Sequence, residues 1–141
     1  MAEVHLHYEI DGAEFSTAGE ASGAMKKSLR LMGLPADVIR RCSICMYEGE
    51  INAVIHAGGG EADVYVRPEA VRIVISDHGP GIPDVEAAMQ EGWSTASEEV
   101  RALGFGAGMG LPNMKRYSDE FVIDTEVGRG TTVTLEIRVG G

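Results

Sequence analysis

A predicted strand that ends in an acidic residue and two closely spaced glycines constrains the fold of this chain most strongly. Residues 70–75 are mostly apolar and rich in β-branched side chains, as is typical of a buried strand. Asp77, Gly79 and Gly81 follow in an Asp-x-Gly-x-Gly pattern. A carboxylate at a strand end accepts hydrogen bonds from a ligand's amino group, and glycine lets the backbone pass close to a flat ring. By itself the pattern is weak evidence for a ligand site, because tight turns after strands use Asp and Gly for local reasons and this interpretation is favoured for an isolated match.

A polar stripe precedes this strand, on a segment with helical periodicity. Glu48, Asn52 and His56 recur every fourth residue, so they share one face of the predicted helix. The amide oxygen of Asn52 suits Mg²⁺, which prefers hard oxygen ligands beside nucleotide phosphates, and Glu48 can accept the proton of an attacking hydroxyl. The stripe therefore predicts either the wall of a pocket or a solvated helix face. Glu50 lies off this face and is predicted to be solvated.

A glycine-rich segment follows the strand and opens another predicted helix. Gly106, Gly108 and Gly110 form Gly-x-Gly-x-Gly, and the free N–H groups of a helix start bind anions. The alternative is a flexible loop. Residues 91–108 before the helix form a long loop rich in small residues, which is usually functional and often a lid. Arg101 is the only basic residue in that lid, and contact with a γ-phosphate and simple solvation are equally open for it.

The remaining patterns predict one domain over residues 1–141, with a lid at about 91–110 if the glycine-rich segment binds phosphate. Hairpins dominate, so we expect a two-layer α/β sandwich whose mixed, mostly antiparallel sheet has helices on one face. A capping box at Thr17 and Glu20 begins the first helix. The predicted strands are 4–10, 61–67, 70–76, 120–126 and 131–139, and the predicted helices are about 15–32, 36–57, 83–89 and 110–117.

Composition excludes several classes of protein. The net charge of −10, from 22 acidic against 12 basic residues, argues against a nucleic-acid-binding surface. No signal peptide or apolar run of membrane length occurs, so a cytoplasmic protein without a membrane partner is predicted.

Cys42 and Cys45 share a helix face, and we expect buried, reduced thiols rather than a redox pair or half a zinc site. His5 and His7 share a strand face and are predicted to be solvated, because no third metal ligand is near.

The three motifs in this order resemble the GHKL ATPase superfamily, over nearly the whole chain. The resemblance implies the Bergerat fold, with ATP and Mg²⁺ as ligands. It implies that Asn52 holds Mg²⁺, that Glu48 is the catalytic residue that activates the nucleophile, and that Asp77 receives the adenine amino group. The other residues that it matches to the nucleotide site are His56 near the phosphates, Gly79 and Gly81 beneath the base, Gly106, Gly108, Gly110 and Leu111 in the phosphate clamp, and Thr132 beside adenine.

Within the superfamily, the chain resembles the free-standing anti-sigma factor and serine-protein kinase group, of the SpoIIAB, RsbW and RsbT types. This resemblance implies a protein serine/threonine kinase that phosphorylates a STAS-domain antagonist. The alternative is an anti-sigma binding module that sequesters a sigma factor, with ATP as a conformational ligand. The catalytic subunit of a split histidine kinase is disfavoured because no phosphoacceptor helix is present. Formation of a homodimer is left open.

Overall fold

The computed structural model describes residues 3–11, 19–81, 89 and 110–140. This part of the chain contains five strands and three helices. The predicted helix at 83–89, apart from residue 89, and the predicted lid before residue 110 lie outside the described residues. In chain order the elements are β1 (Val4–Asp11), α1 (Glu20–Leu31), α2 (Ala36–Ala57), β2 (Gly59–Val66), β3 (Ala70–Ser76), α3 (Gly110–Tyr117), β4 (Glu120–Glu126) and β5 (Gly130–Arg138).

The strands form one sheet in the order β1-β2-β3-β5-β4, and each of its four pairings is antiparallel. Side chains alternate across such a sheet, so every second residue faces the helices. Ile73 and Leu135 lie on this inner face and are buried with Met46 of α2 and Leu29 of α1. The other face carries mostly polar and charged side chains. The predicted two-layer α/β sandwich is confirmed.

Helix α2 lies in the middle of the helical layer and packs closely on β3 and α3. A Cβ atom at Gly49 would lie 2.1 Å from Ile75 Cδ1 and 3.5 Å from Met114 Sδ, so any larger residue would require the Ile75 side chain to move. Cys42 and Cys45 on the same helix are free, buried thiols, as predicted. Burial raises the pKa of each to about 12, which keeps both protonated and unreactive at neutral pH.

The prediction that Glu50 is solvated is wrong. Its side chain is only 3% exposed, because it lies on the face of α2 that packs against the start of α1. One carboxylate oxygen accepts hydrogen bonds from the N–H groups of Gly19 and Ala21, and the other accepts one from Ser22. Helix α1 begins at Glu20, with Gly19 as its N-cap and no cap from a side chain of its own. Glu50 thus satisfies free N–H groups at the start of α1, whereas Thr17 of the predicted capping box lies outside the described residues.

Glu50→Gln is expected to lower the free energy of unfolding by about 1–3 kcal/mol, because one amide group replaces an oxygen that accepts backbone N–H bonds in a buried site. Urea unfolding of the two proteins measures the difference. Glu69→Gln is the matched control, since Glu69 is exposed in the β2–β3 turn. A change as small as that of the control would show that Glu50 does not hold α1 in place.

The prediction that no third ligand lies near His5 and His7 is also wrong. Strand β2 pairs with β1 in a register that places Asp63 opposite His7. Asp63 Oδ1 accepts hydrogen bonds from both histidines, at 2.8 Å each. The hydrogen bonds of His7 to Glu9 and Asp63 raise its pKa to about 9. The histidines therefore belong to a cross-strand cluster on the outer face of the sheet.

None of the described helices is both long enough and apolar enough to cross a membrane.

Candidate functional site

The polar stripe of α2 connects α3 to the loop after β3. At one end Glu48 forms a side-chain hydrogen bond with Asn113 of α3. At the other end His56 lies close enough to Asp77 to interact with its charge. Asn52 lies between them, and all three stripe residues are partly buried. The nine residues from Glu48 to His56 span about 12 Å of helix. The stripe is therefore partly covered by neighbouring elements and is not a fully solvated helix face.

Glu48 has the electrostatics of a proton acceptor. It is half-buried, and burial raises the pKa of its carboxyl above the ordinary value. The hydrogen bond from Asn113 opposes this shift by favouring the charged form. A carboxylate with a raised pKa is a stronger base, so this environment suits proton abstraction. Sequence reasoning missed Asn113, because nothing local indicates which residue of α3 faces α2.

The Asp77 carboxylate is fixed in orientation by two backbone donors. Its Oδ1 atom accepts hydrogen bonds from the N–H groups of Gly79 at 3.0 Å and Thr131 at 3.2 Å. Its own N–H donates to the Thr131 carbonyl at 2.9 Å. Because both side-chain bonds end on Oδ1, Oδ2 keeps its capacity to accept from a ligand. The Oδ2 atom of Asp77 can thus accept a hydrogen bond from a ligand group such as an exocyclic amino group.

The loop after β3 is held between α2 and the β4–β5 turn by close glycine contacts. A Cβ atom at Gly79 would lie 2.5 Å from Ala57 Cβ of α2. Gly81 has a φ of +79°, and a Cβ there would lie 2.5 Å from the Glu126 carbonyl oxygen. Gly79 therefore lies against the C-terminal end of α2, whereas Gly81 packs against the hairpin. These contacts fix the position of Asp77 relative to the polar stripe.

His56 is a partly buried imidazole near Asp77. Burial lowers the pKa of its imidazole, and the negative charge of Asp77 partly opposes this. The side chain is consequently a neutral imidazole at neutral pH, able to donate at one ring nitrogen and accept at the other. Such a group contributes hydrogen bonds to a ligand without adding a full positive charge.

The structure does not bring Thr132 to the site. Thr132 pairs with Ser76 across β3 and β5, and their hydroxyls lie 3.3 Å apart on the outer face of the sheet. Thr131 lies next to Asp77 on the inner face, is buried, and shares a hydroxyl hydrogen bond of 2.8 Å with Thr125. Two adjacent threonines follow Gly130, and only the strand register decides which one faces the helices.

Of the residues predicted to form a phosphate clamp, the structure describes only Gly110 and Leu111. Gly110 begins α3, as predicted. The Leu111 side chain is buried in the core, where it contributes packing. Arg101, Gly106 and Gly108 lie outside the described residues, so their places in the clamp stay predictions.

Comparison with known families identifies the class of protein. Residues 15–141 match the family described as "Histidine kinase-, DNA gyrase B-, and HSP90-like ATPase". The chain belongs to this family, and the predicted GHKL membership and Bergerat fold are confirmed.

Two similar curated proteins are an anti-sigma factor and a protein kinase. The anti-sigma F factor of Geobacillus stearothermophilus is 31% identical over 140 residues, covering 95% of this chain and 90% of the relative. The serine/threonine-protein kinase RsbT of Bacillus subtilis (strain 168) is 34% identical over 86 residues, 58% of this chain and 59% of the kinase.

A solved structure supports the same fold. The RsbU and RsbW domains of Rv1364c from Mycobacterium tuberculosis match with a TM-score of 0.61 at 19% identity, over 96% of this chain and 32% of that one.

Proposed function

We propose that this chain is an ATP-dependent protein serine/threonine kinase of the anti-sigma and switch-kinase type, acting on a STAS-domain-like protein. The observation that carries the proposal is the half-buried Glu48 carboxyl, which lies one helical turn from Asn52 and is hydrogen-bonded by Asn113. A protein that only bound nucleotide would need no proton acceptor at this place. The RsbT relative, named as a serine/threonine kinase, supports the same reading.

The residues present fit ATP and Mg²⁺. Asp77 has Oδ2 available for the adenine amino group, because its two backbone hydrogen bonds end on Oδ1. The Asn52 side chain offers an oxygen of the kind that Mg²⁺ prefers. The first N–H groups of α3, from Gly110 onward, suit the phosphates. We assign Arg101, Gly106 and Gly108 to the same phosphate clamp.

Glu48 is the proposed general base of the transfer. ATP, when bound, supplies the γ-phosphoryl group. Glu48 takes the proton from the serine or threonine hydroxyl of the target, whose oxygen forms the new bond to phosphorus as ADP departs. Asn113 holds the carboxylate in its charged form and fixes its orientation, so Asn113 is a positioning residue. His56 donates a hydrogen bond within the site from its neutral imidazole.

Asn113→Ala is expected to move the acid limb of the pH–rate profile to higher pH. The base must be deprotonated, and its activity falls as pH drops through the Glu48 pKa. Burial already raises that pKa, and loss of the Asn113 hydrogen bond removes the contribution that lowers it. Single-turnover transfer rates measured across pH give the shift.

Two further variants control this experiment. Asn113→Asp places a negative charge beside Glu48 and should move the limb in the same direction, and further. Lys115→Ala changes an exposed residue of the same helix and should leave the profile in place. An unchanged profile in Asn113→Ala would show that Asn113 only packs between the helices.

The second candidate function is sequestration of a sigma factor with ATP as a conformational ligand. It is favoured by the similarity to an anti-sigma F factor over 95% of this chain. To separate the two, the protein is incubated with Mg²⁺, ATP and either a STAS-domain protein or a sigma factor, and complexes and phosphorylated residues are identified by gel filtration and mass spectrometry. The kinase proposal predicts phosphoserine or phosphothreonine on the STAS-domain protein. A stable sigma-factor complex without phosphorylation of any bound partner would instead support sequestration.

A further inference from the structure

A cluster of potential metal ligands lies on the outer face of the sheet, where the edge strand β1 pairs with β2. His7 and Glu9 are alternate residues of β1, and Asp63 and Glu61 lie directly opposite them on β2. All four project from the face that the helices leave uncovered, because Leu6, Tyr8 and Ile10 occupy the inner face of β1. The sheet thus brings together one imidazole and three carboxylates from two strands.

The geometry within this cluster resembles a metal site with its supporting partner. One ring nitrogen of His7 and one carboxylate oxygen each from Glu9 and Glu61 lie within 4.8 Å of one another. His7 Nδ1 donates to Asp63 Oδ1 at 2.8 Å, and Nε2 donates to Glu9 Oε1 at 3.0 Å. In protein metal sites the ligating histidine usually donates its other ring N–H to such a carboxylate, which fixes the ring.

We propose that His7 Nε2, Glu9 and Glu61 bind a divalent transition metal ion of the Zn²⁺ type, with Asp63 orienting His7. The imidazole nitrogen favours such an ion over Mg²⁺ and Ca²⁺, which prefer oxygen ligands alone. On binding, the ion takes the place of the proton on Nε2, and that proton passes to solvent. Water completes the coordination.

Only small side-chain movements are needed to close the site. Zn²⁺ bonds to nitrogen and oxygen ligands are about 2.0–2.2 Å long, so tetrahedral ligand atoms lie about 3.3–3.5 Å apart. The His7 and Glu9 atoms already approach to 3.0 Å. Glu61 closes the remaining gap by side-chain rotation, since it is only partly buried.

His5 helps to hold Asp63 in place. The sheet separates this site from the proposed nucleotide site. His5 Nε2 also donates to Asp63 Oδ1, and the His5 ring stacks on Tyr65 with centroids 4.6 Å apart. The cluster lies on the opposite face of the sheet from α2, so the ion would be distinct from the Mg²⁺ proposed at Asn52. Its structural effect would be to tie the edge strand β1 to β2.

Calorimetric titration of nucleotide-free, Mg²⁺-free protein with Zn²⁺ tests the proposal. We expect one ion per chain, with affinity lowered at least about tenfold in His7→Gln and in Glu61→Gln, and about 10–100-fold in Asp63→Asn. His78→Gln and Glu69→Gln are matched controls, because both residues are exposed and outside the cluster. Each should bind Zn²⁺ as the unchanged protein does. Asn52→Ala should also bind it normally, which separates this site from the nucleotide site.

Titration with Co²⁺ identifies the ligand atoms. The proposal predicts the visible absorption of a nitrogen- and oxygen-ligated ion, lost in His7→Gln. A thiolate-to-cobalt band in the near ultraviolet would assign the ion to Cys42 and Cys45 and overturn the proposal. Equal Zn²⁺ affinity in the unchanged protein and in His7→Gln would also overturn it, and would mean an adventitious ion only.

Discussion

Glu48→Gln is expected to lower the rate of phosphotransfer by about 10²–10⁴-fold, the usual contribution of general acid–base catalysis. The amide keeps the size of the side chain and can still hydrogen-bond with Asn113, but it cannot take a proton from the target hydroxyl. ATP affinity should change little, because the adenine and Mg²⁺ contacts are proposed at Asp77 and Asn52. Single-turnover transfer with the nucleotide at saturation measures the effect, and calorimetry checks the affinity.

Glu50→Gln is the matched control for this experiment. It makes the same chemical change two residues along α2, at a carboxylate that caps α1 and is proposed to take no proton. Below its unfolding transition it should transfer phosphate within about tenfold of the unchanged protein, clearly less than the loss expected for a general base. A loss of less than about tenfold in Glu48→Gln would reduce Glu48 to a residue that positions the target.

Asp77→Asn is expected to weaken ATP binding by about 1–3 kcal/mol, which corresponds to about 5- to 150-fold in Kd. The hydrogen bonds of Asp77 explain why ATP binding is expected to weaken. The N–H groups of Gly79 and Thr131 both point at Oδ1, so the amide oxygen is retained there and the NH₂ group takes the place of Oδ2. That group would face the adenine amino group as a second donor. Calorimetry with ATP and GTP should show weaker ATP binding and a smaller preference for adenine.

Thr132→Val provides a control on the other face of the sheet. Because Thr132 contacts Ser76 and lies away from Asp77, we expect its ATP affinity to stay within about twofold of the unchanged protein. If Asp77→Asn binds ATP normally and still rejects GTP, the assignment of Asp77 to adenine is wrong.

The fold was predictable because its elements are encoded locally. Hydrophobic periodicity and glycine positions gave β3, α3 and β4 with the bounds that the structure has, and α2 ends at Gly58 in a left-handed conformation, as its glycines predicted. The Asp77 loop was also predictable, since its residues are contiguous. Each of these features depends on interactions between near neighbours in the chain.

The contacts that the sequence could not predict join distant segments. Glu50 caps a helix that begins about thirty residues earlier. Asp63 meets His5 and His7 only because β2 pairs with β1, and Asn113 meets Glu48 only because α3 packs on α2. A helical wheel indicates that the face of α2 with Glu50 is buried, since Met46 and Val54 on the same face are buried. The helical wheel does not predict which backbone N–H groups donate hydrogen bonds to the carboxylate.

The measurement that tests the kinase proposal most directly is single-turnover transfer from γ-labelled ATP to a purified STAS-domain protein that binds this chain. Label bound to serine or threonine survives acid, whereas label bound to histidine does not, so acid treatment also tests the split histidine kinase alternative. The kinase proposal predicts acid-stable label on the STAS-domain protein, dependent on Mg²⁺ and lost in Glu48→Gln. A bound partner that gains no label, or only acid-labile label, would contradict it.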